Sequence, residues 1–283
     1  MHATTELRNH FPDLAQARSR SLVLFDDART FYRGHLNEAS RRTIGGYVVC
    51  VALDRPLQVR IGDAPWVEAD MAVIEPYQAH SIRAFGGRIG HLMLETETVC
   101  PDDLPAWLTQ GSRVIACPTL ASRWARICAG LDQADGTPPL APRLDTLLFG
   151  APLPQRVLDA RVASVIQAIV ERPGERHSAQ ECAQAVGLSM SRFLHLFRQE
   201  TGSPFRPFRA WKRARCLLDQ VSAKCSLTDM ALDSGYADSS HFSNSIRDSF
   251  GIKPRDMLAG FRHVPTYERC TAPAAAASPS PSR

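Results

Sequence analysis

Two short stretches of this 283-residue chain carry polar side chains at a spacing suited to touching another molecule. In the first, Ser191, Leu194, His195 and Arg198 fall at i, i+3, i+4 and i+7, so a helix places them on one face. In the second, Ser240, Ser243, Asn244 and Arg247 repeat that spacing. Apolar residues fill the opposite faces: Phe193, Leu196 and Phe197 in one, Phe242, Ile246 and Phe250 in the other. Short hydroxyls allow close approach to a partner. The Asn244 amide can donate and accept in one plane, which matches the N6 and N7 edge of adenine. Arg198 and Arg247, nearer the helix ends, suit phosphate oxygens. An amphipathic helix with a solvated face explains either stretch alone; their recurrence is what argues for a shared role.

The elements needed to hold these faces are also repeated. Segments 178–202 and 226–251 align with Ala183 against Ala231 and Gly187 against Gly235, 48 residues apart. Phe193 aligns with Phe242, Phe197 with Ile246 and Gly202 with Gly251, 49 residues apart. Such a long period is not chance helical composition. Ser178 with Glu181, and Ser226 with Asp229, have the spacing of a capping box that starts a helix. The small alanine admits a crossing helix, and the glycine ends the first helix in a left-handed conformation. Each copy thus predicts a helix-turn-helix. Between them, residues 204–220 predict a long helix with apolar Phe208, Trp211, Leu217 and Leu218 and basic Arg206, Arg209, Lys212, Arg213 and Arg215. Rising about 1.5 Å per residue, it can hold two reading heads roughly one DNA turn apart.

Residues 157–262 resemble the AraC/XylS family of transcription regulators. The likeness is carried by Gly235, Tyr236, Ser240, Phe242, Phe250, Gly251 and Pro254, with a leading helix at 158–175. Ile246 stands where an aromatic is usual and Ser245 where alanine is commoner, both modest packing changes. The resemblance implies binding to double-stranded promoter DNA, with Ser191, Leu194, His195, Ser240, Ser243 and Asn244 at the base-reading positions. It also implies activation by contact with RNA polymerase. The first half would then serve a small-molecule effector, homodimerisation, or both, commonly on a cupin-type barrel.

The first half reads as short strands. Residues 21–26, 45–53, 57–61, 71–76 and 89–95 are apolar runs separated by turn residues such as Asp54-Arg55-Pro56 and Phe85-Gly86-Gly87. A helix is predicted over 119–133 from the stripe Leu120, Trp124, Ile127, Cys128 and Leu131; it would cover an open barrel edge or pair across a dimer. The expected fold is α+β in two domains. A cupin-like β-barrel or sandwich with flanking helices spans 15–135, and a Pro/Gly-rich linker 136–155. An all-α tandem helix-turn-helix domain spans 156–264, and a low-complexity tail 265–283. Trp66 and Trp107 read as core. The barrel mouth is the default pocket, with Tyr77, His80 and His91 the effector-contacting candidates. A metal-binding cupin needs a His-x-His pair with a downstream Glu; His35 with Glu38 is a poor substitute, so no metal, no cofactor and no catalytic set are expected.

Charge separates the halves: residues 1–151 hold 15 Lys+Arg against 17 Asp+Glu, and residues 152–270 hold 17 against 12. The basic excess suits a polyanionic partner. The eight cysteines form no CxxC pair, which removes support for a zinc ribbon or redox pair. No apolar run of membrane-spanning length and no signal-peptide pattern is present, so a cytoplasmic chain without membrane attachment is expected. Two rivals remain: a cupin-type metalloenzyme with an accessory helical domain, and a dimeric regulator without a ligand.

Overall fold

The computed structural model describes residues 22–36, 41–131, 139–216 and 227–251. The Ser226 capping position, Leu217 and Leu218, Glu38, Pro254 and the expected tail lie outside the described residues.

The N-terminal half packs two antiparallel sheets face to face. One has six strands in the order β1-β2-β9-β4-β7-β10, the other four in the order β3-β8-β5-β6. The strands are β1 Leu22–Phe25, β2 Arg29–His35, β3 Arg41–Arg42, β4 Tyr47–Ala52, β5 Leu57–Ile61, β6 Val67–Ala69, β7 Met71–Ile74, β8 His80–Arg83, β9 Arg88–Leu94 and β10 Arg113–Val114. The sheets do not join into a closed barrel among the described residues, so the sandwich half of the expectation stands. Strand alternation divides the core in two. Val48, Cys50, Ala72, Ile74, Ile89 and Met93 point between the sheets and meet Leu57, Val59 and Ile82. Val49, Val51, Met71, Val73, Leu92 and Leu94 point outward, yet are buried, because helices cover that face.

Those helices are α1, Pro118–Gly130, and α2, Leu140–Phe149. Helix α1 buries Ala121, Trp124 and Cys128 against the six-stranded sheet. It covers a sheet face rather than an edge. Trp107, Trp124 and Phe149 pack as an aromatic cluster with ring centroids 5.4–6.2 Å apart.

The linker expected over 136–155 needs correction. Leu140, Leu144 and Leu148 of α2 fill the same core, and the helix ends at Gly150 with φ +95°. Its Asp145 takes two hydrogen bonds from the buried Arg29 guanidinium, at 2.8 and 2.9 Å. Proline and glycine marked the ends of a helix there, not its absence. Trp66 also departs from expectation. It lies half-buried between the guanidinium groups of Arg60 and Arg83, 5.0 and 4.0 Å from its ring centroid, outside the core.

The C-terminal part is helical among the described residues: α3 Ala160–Glu171, α4 Ala179–Ala185, α5 Met190–Thr201, α6 Phe205–Arg215, α7 Leu227–Asp233 and α8 Ser239–Phe250.

Candidate nucleic-acid interface

Helices α4 and α5 form the first repeated unit. The Ser178 hydroxyl accepts from the Glu181 backbone N–H at 3.2 Å, and the Glu181 carboxylate accepts from the Ser178 N–H at 3.1 Å. This reciprocal pair satisfies donors that a helix start otherwise leaves open. Gly187 then takes φ +67°, and the Leu188 N–H donates to the Ala183 carbonyl at 2.9 Å, closing the turn. Ser189 caps α5 by accepting from the Arg192 N–H at 3.4 Å.

Helices α7 and α8 repeat the device. Gly235 takes φ +68°, and the Tyr236 N–H donates to the Ala231 carbonyl, again at 2.9 Å. A Cβ on Gly235 would lie 2.1 Å from the Gly174 carbonyl oxygen, so both the conformation and the space require glycine. Asp238 caps α8 by accepting from the His241 N–H at 2.7 Å. Both recognition-type helices end on left-handed glycines, Gly202 and Gly251.

The inward faces match the sequence expectation. Phe193 and Phe197 are wholly buried with Phe205 and Phe208, their rings 5.1–5.7 Å apart. Phe242 and Ile246 are equally buried, while Leu196 and Phe250 are only partly covered. On the outward faces, Ser191, His195 and Arg198 are exposed, as are Ser240, Asn244 and Arg247. Ser243 is half-covered, and Leu194 is half-covered against the first unit's core. Leu194 therefore has less surface to offer a base than a base-reading position implies. Asn244 Oδ1 accepts from Arg247 Nη2 at 2.8 Å, which leaves the second lone pair of that oxygen and the amide N–H donors for another partner.

Helix α6 corrects a further expectation. Arg206 is exposed and Arg209 is half-buried with its guanidinium on the His177 carbonyl, but Lys212 and Arg215 are buried, only 6% exposed each. Lys212 Nζ pairs with Glu95 at 2.7 Å and with Glu97, and Arg215 Nε with Glu95 Oε1 at 3.2 Å. Trp211 Nε1 donates to Glu95 Oε2 at 2.9 Å. Burial alone would raise the Glu95 carboxyl, but Lys212 and Arg215 outweigh it and hold it below the usual range. Burial pushes Glu97 up. These two cations of the predicted basic helix thus serve the contact with the N-terminal half. Nothing in the local pattern of residues 204–220 names their partners, which lie well over a hundred positions upstream.

The structure matches known proteins at two levels. A family model described as a helix-turn-helix domain matches residues 182–260. Over 72 residues the chain is 32% identical to the invasion protein InvF of Salmonella typhimurium, covering 25% of this chain and 33% of that protein. It is 32% identical over 72 residues to the transcriptional regulator MxiE of Shigella flexneri, covering 25% and 34%. Residues 182–260 therefore carry a helix-turn-helix domain of the AraC type. The match spans about a third of the length of these curated relatives. Across 83% of the chain and 98% of its counterpart, the AraC-type chain shares the fold of apo ToxT K231A from Vibrio cholerae, with a TM-score of 0.55 at 10% identity. That likeness covers both halves and concerns fold alone.

The effector candidates lie in the N-terminal sandwich of this AraC-type chain. His80 on β8 pairs in register with Arg42 on β3, and His91 on β9 pairs with Cys50 on β4. Arg42 and His80 are buried, at 5% and 0% exposure, between the sheets. His80 Nδ1 lies 2.9 Å from the Gln78 carbonyl. Burial lowers His80 to about 4 and His91 to about 3, helped by the neighbouring Arg42 charge, so both imidazoles are neutral at pH 7. Among the described residues, Nε2 of both histidines and Nε and Nη2 of Arg42 lack hydrogen-bond partners. Tyr77, at φ +61°, buries its hydroxyl beside Ser203 of the C-terminal part, and burial pushes it up. Sequence reasoning found the histidines and missed Arg42. Its only signal was a basic residue beside the apolar β4 run.

Cys50 and Cys128 are pushed up to about 12 by burial, so neither is a reactive thiolate at neutral pH. No group of three His, Cys, Asp or Glu side chains suited to a metal occurs among the described residues, and no described helix is long and apolar enough to cross a membrane.

Proposed function

We propose that this chain regulates transcription, as an activator, by sequence-specific binding to promoter DNA through both helix-turn-helix units. The observation that carries this reading is the duplicated geometry. Two units close their turns with the same 2.9 Å hydrogen bond and present equivalent exposed faces. Ser191, Leu194, His195, Ser240, Ser243 and Asn244 would meet base edges, with Arg198 and Arg247 on phosphates. RNA polymerase is the expected partner in activation, a homodimer the expected assembly and the cytoplasm the expected compartment. The working division is a regulatory domain at 15–135 and a DNA-binding domain at 156–264.

The N-terminal sandwich would hold a small-molecule effector beside Tyr77, His80 and His91, with Arg42 as anchor. A buried guanidinium cannot shed its charge, and leaving it unpaired is costly. A carboxylate would supply both the missing charge and the missing acceptors. ToxT, which shares the fold, has been crystallised with an unsaturated fatty acid, which supports an acidic ligand class here.

Selection of bound duplexes from a random pool tests the DNA reading. A recovered consensus, bound far more tightly than unrelated DNA, is expected; recovery of no consensus would refute it. Melting shifts across a set of small acids test the effector reading. Stoichiometric iron, zinc or manganese in the purified protein would instead favour a metalloenzyme.

A further inference from the structure

The two units are not supported alike. The first completes its core within the C-terminal part, from Val162, Val165, Ile166, Ile169, Cys182, Ala183 and the four phenylalanines of α5 and α6. The second borrows. Met230, Ala231, Tyr236, Phe242 and Ile246 form one buried cluster with Val23 and Phe25 of β1. Strand β1 is buried at all four positions for this reason: Leu22 and Leu24 face the N-terminal core, while Val23 and Phe25 face the second unit.

Two further contacts tie the second unit and α6 to the same domain. The Thr43 N–H donates to the Asp248 carbonyl of α8 at 2.7 Å. Trp211 of α6 lies over Gly45 and against Phe250, with ring centroids 5.4 Å apart. A Cβ on Gly45 would stand 2.2 Å from the indole, so the contact exists only because residue 45 has no side chain. The same indole donates to Glu95, in the buried group with Glu97, Lys212 and Arg215.

Both tethers start at the interior polar cluster. Arg42 directly precedes Thr43, and Ile44, next along, accepts from the Tyr77 N–H at 2.8 Å. His91 lies four residues before Glu95, along β9 and its immediate end. A shift of Arg42 or His91 is thus passed along continuous backbone to a residue touching the second unit or α6, and a shift of His80 reaches Arg42 through the β3–β8 pairing.

We propose that the N-terminal domain positions the second reading head, with Gly45 and Glu95 as positioning residues that couple the Arg42–His80–His91 cluster to it. This rests on the DNA-binding reading above. The first unit, with its own core, binds without that support. The second does not: separating the domains uncovers its apolar core and strands Lys212 and Arg215 without counter-charges, a costly state.

The test is footprinting of the full chain on a duplex selected with the unaltered protein, for Gly45→Ala, Glu95→Gln and the milder Trp211→Phe. Gly45→Ala drives a methyl into the indole without touching the DNA-facing residues. The expected result is loss of protection over the second unit's half-site with the first half retained, which also shows that the variant is folded. Affinity should fall about a hundredfold for the first two, the scale of avidity lost when one of two linked modules disengages, and less for Trp211→Phe. The double variant Gly45→Ala/Glu95→Gln should lose little more than either alone, because both act through one contact. Full two-half protection at unaltered affinity in all three variants would overturn the inference, as would tighter binding, which would mark the contact as autoinhibitory. If the unaltered chain itself protects no DNA, the DNA-binding reading fails instead.

Discussion

Asn244 and Arg247 sit three residues apart on the exposed face of α8 and already hydrogen-bond to each other. The arginine holds the amide oxygen, so the amide plane is set before any base arrives. Asn244→Ala should weaken binding to the cognate duplex by about 1–3 kcal/mol and leave unrelated DNA nearly unaffected. Equal losses on both would remove its base-reading role. Arg198→Ala should weaken all sequences alike and flatten the dependence of affinity on salt, since fewer counterions are released; an unaltered slope would exclude a phosphate contact. His80 gives a pH prediction. Its folded value of about 4 lies below the ordinary 6.5, so the unfolded chain takes up a proton first as pH falls. Stability is therefore fully present above pH 6.5 and declines toward pH 4, by about 1.4 kcal/mol per pH unit for each such proton. Urea unfolding between pH 7 and 4.5 should show that decline, and His80→Gln should make it shallower. An identical slope in the variant would place the titration elsewhere.

Elements with a local cause were the legible ones. The capping box at Ser178, the turn glycines and the apolar stripes of α5 and α8 all arise from contacts within a few residues, and their spacing shows in the chain. Helix α1 was legible from its Trp124–Cys128 stripe for the same reason. Helix α2 was not. Its ten residues are flanked by prolines and Gly150, and its apolar face makes sense only against Val49, Leu92 and the rest of a distant sheet. Lys212 and Arg215 misled in a similar way, because a basic residue looks alike whether it meets solvent, phosphate or a buried glutamate. Leu144→Ala should cost about 2–5 kcal/mol, as for a fully buried leucine, measurable by chemical denaturation. A loss under half a kilocalorie would mean that α2 is an inert connector after all.

At the scale of the whole molecule, one basic helix serves three bodies. Helix α6 gives Phe205 and Phe208 to the first unit, Ala214 to the second, and Trp211, Lys212 and Arg215 to the N-terminal sandwich. The relative placement of the two reading faces is therefore a property of the intact chain. Two heads reading successive major grooves from one side of a duplex should lie about one helical turn apart, near 34 Å. Hydroxyl-radical footprinting of the full chain on its selected duplex measures this directly. Two protected tracts about 10 base pairs apart on one face of the DNA, absent on unrelated sequence, are predicted. A single tract, or the same protection on any sequence, would contradict DNA reading by two helix-turn-helix units.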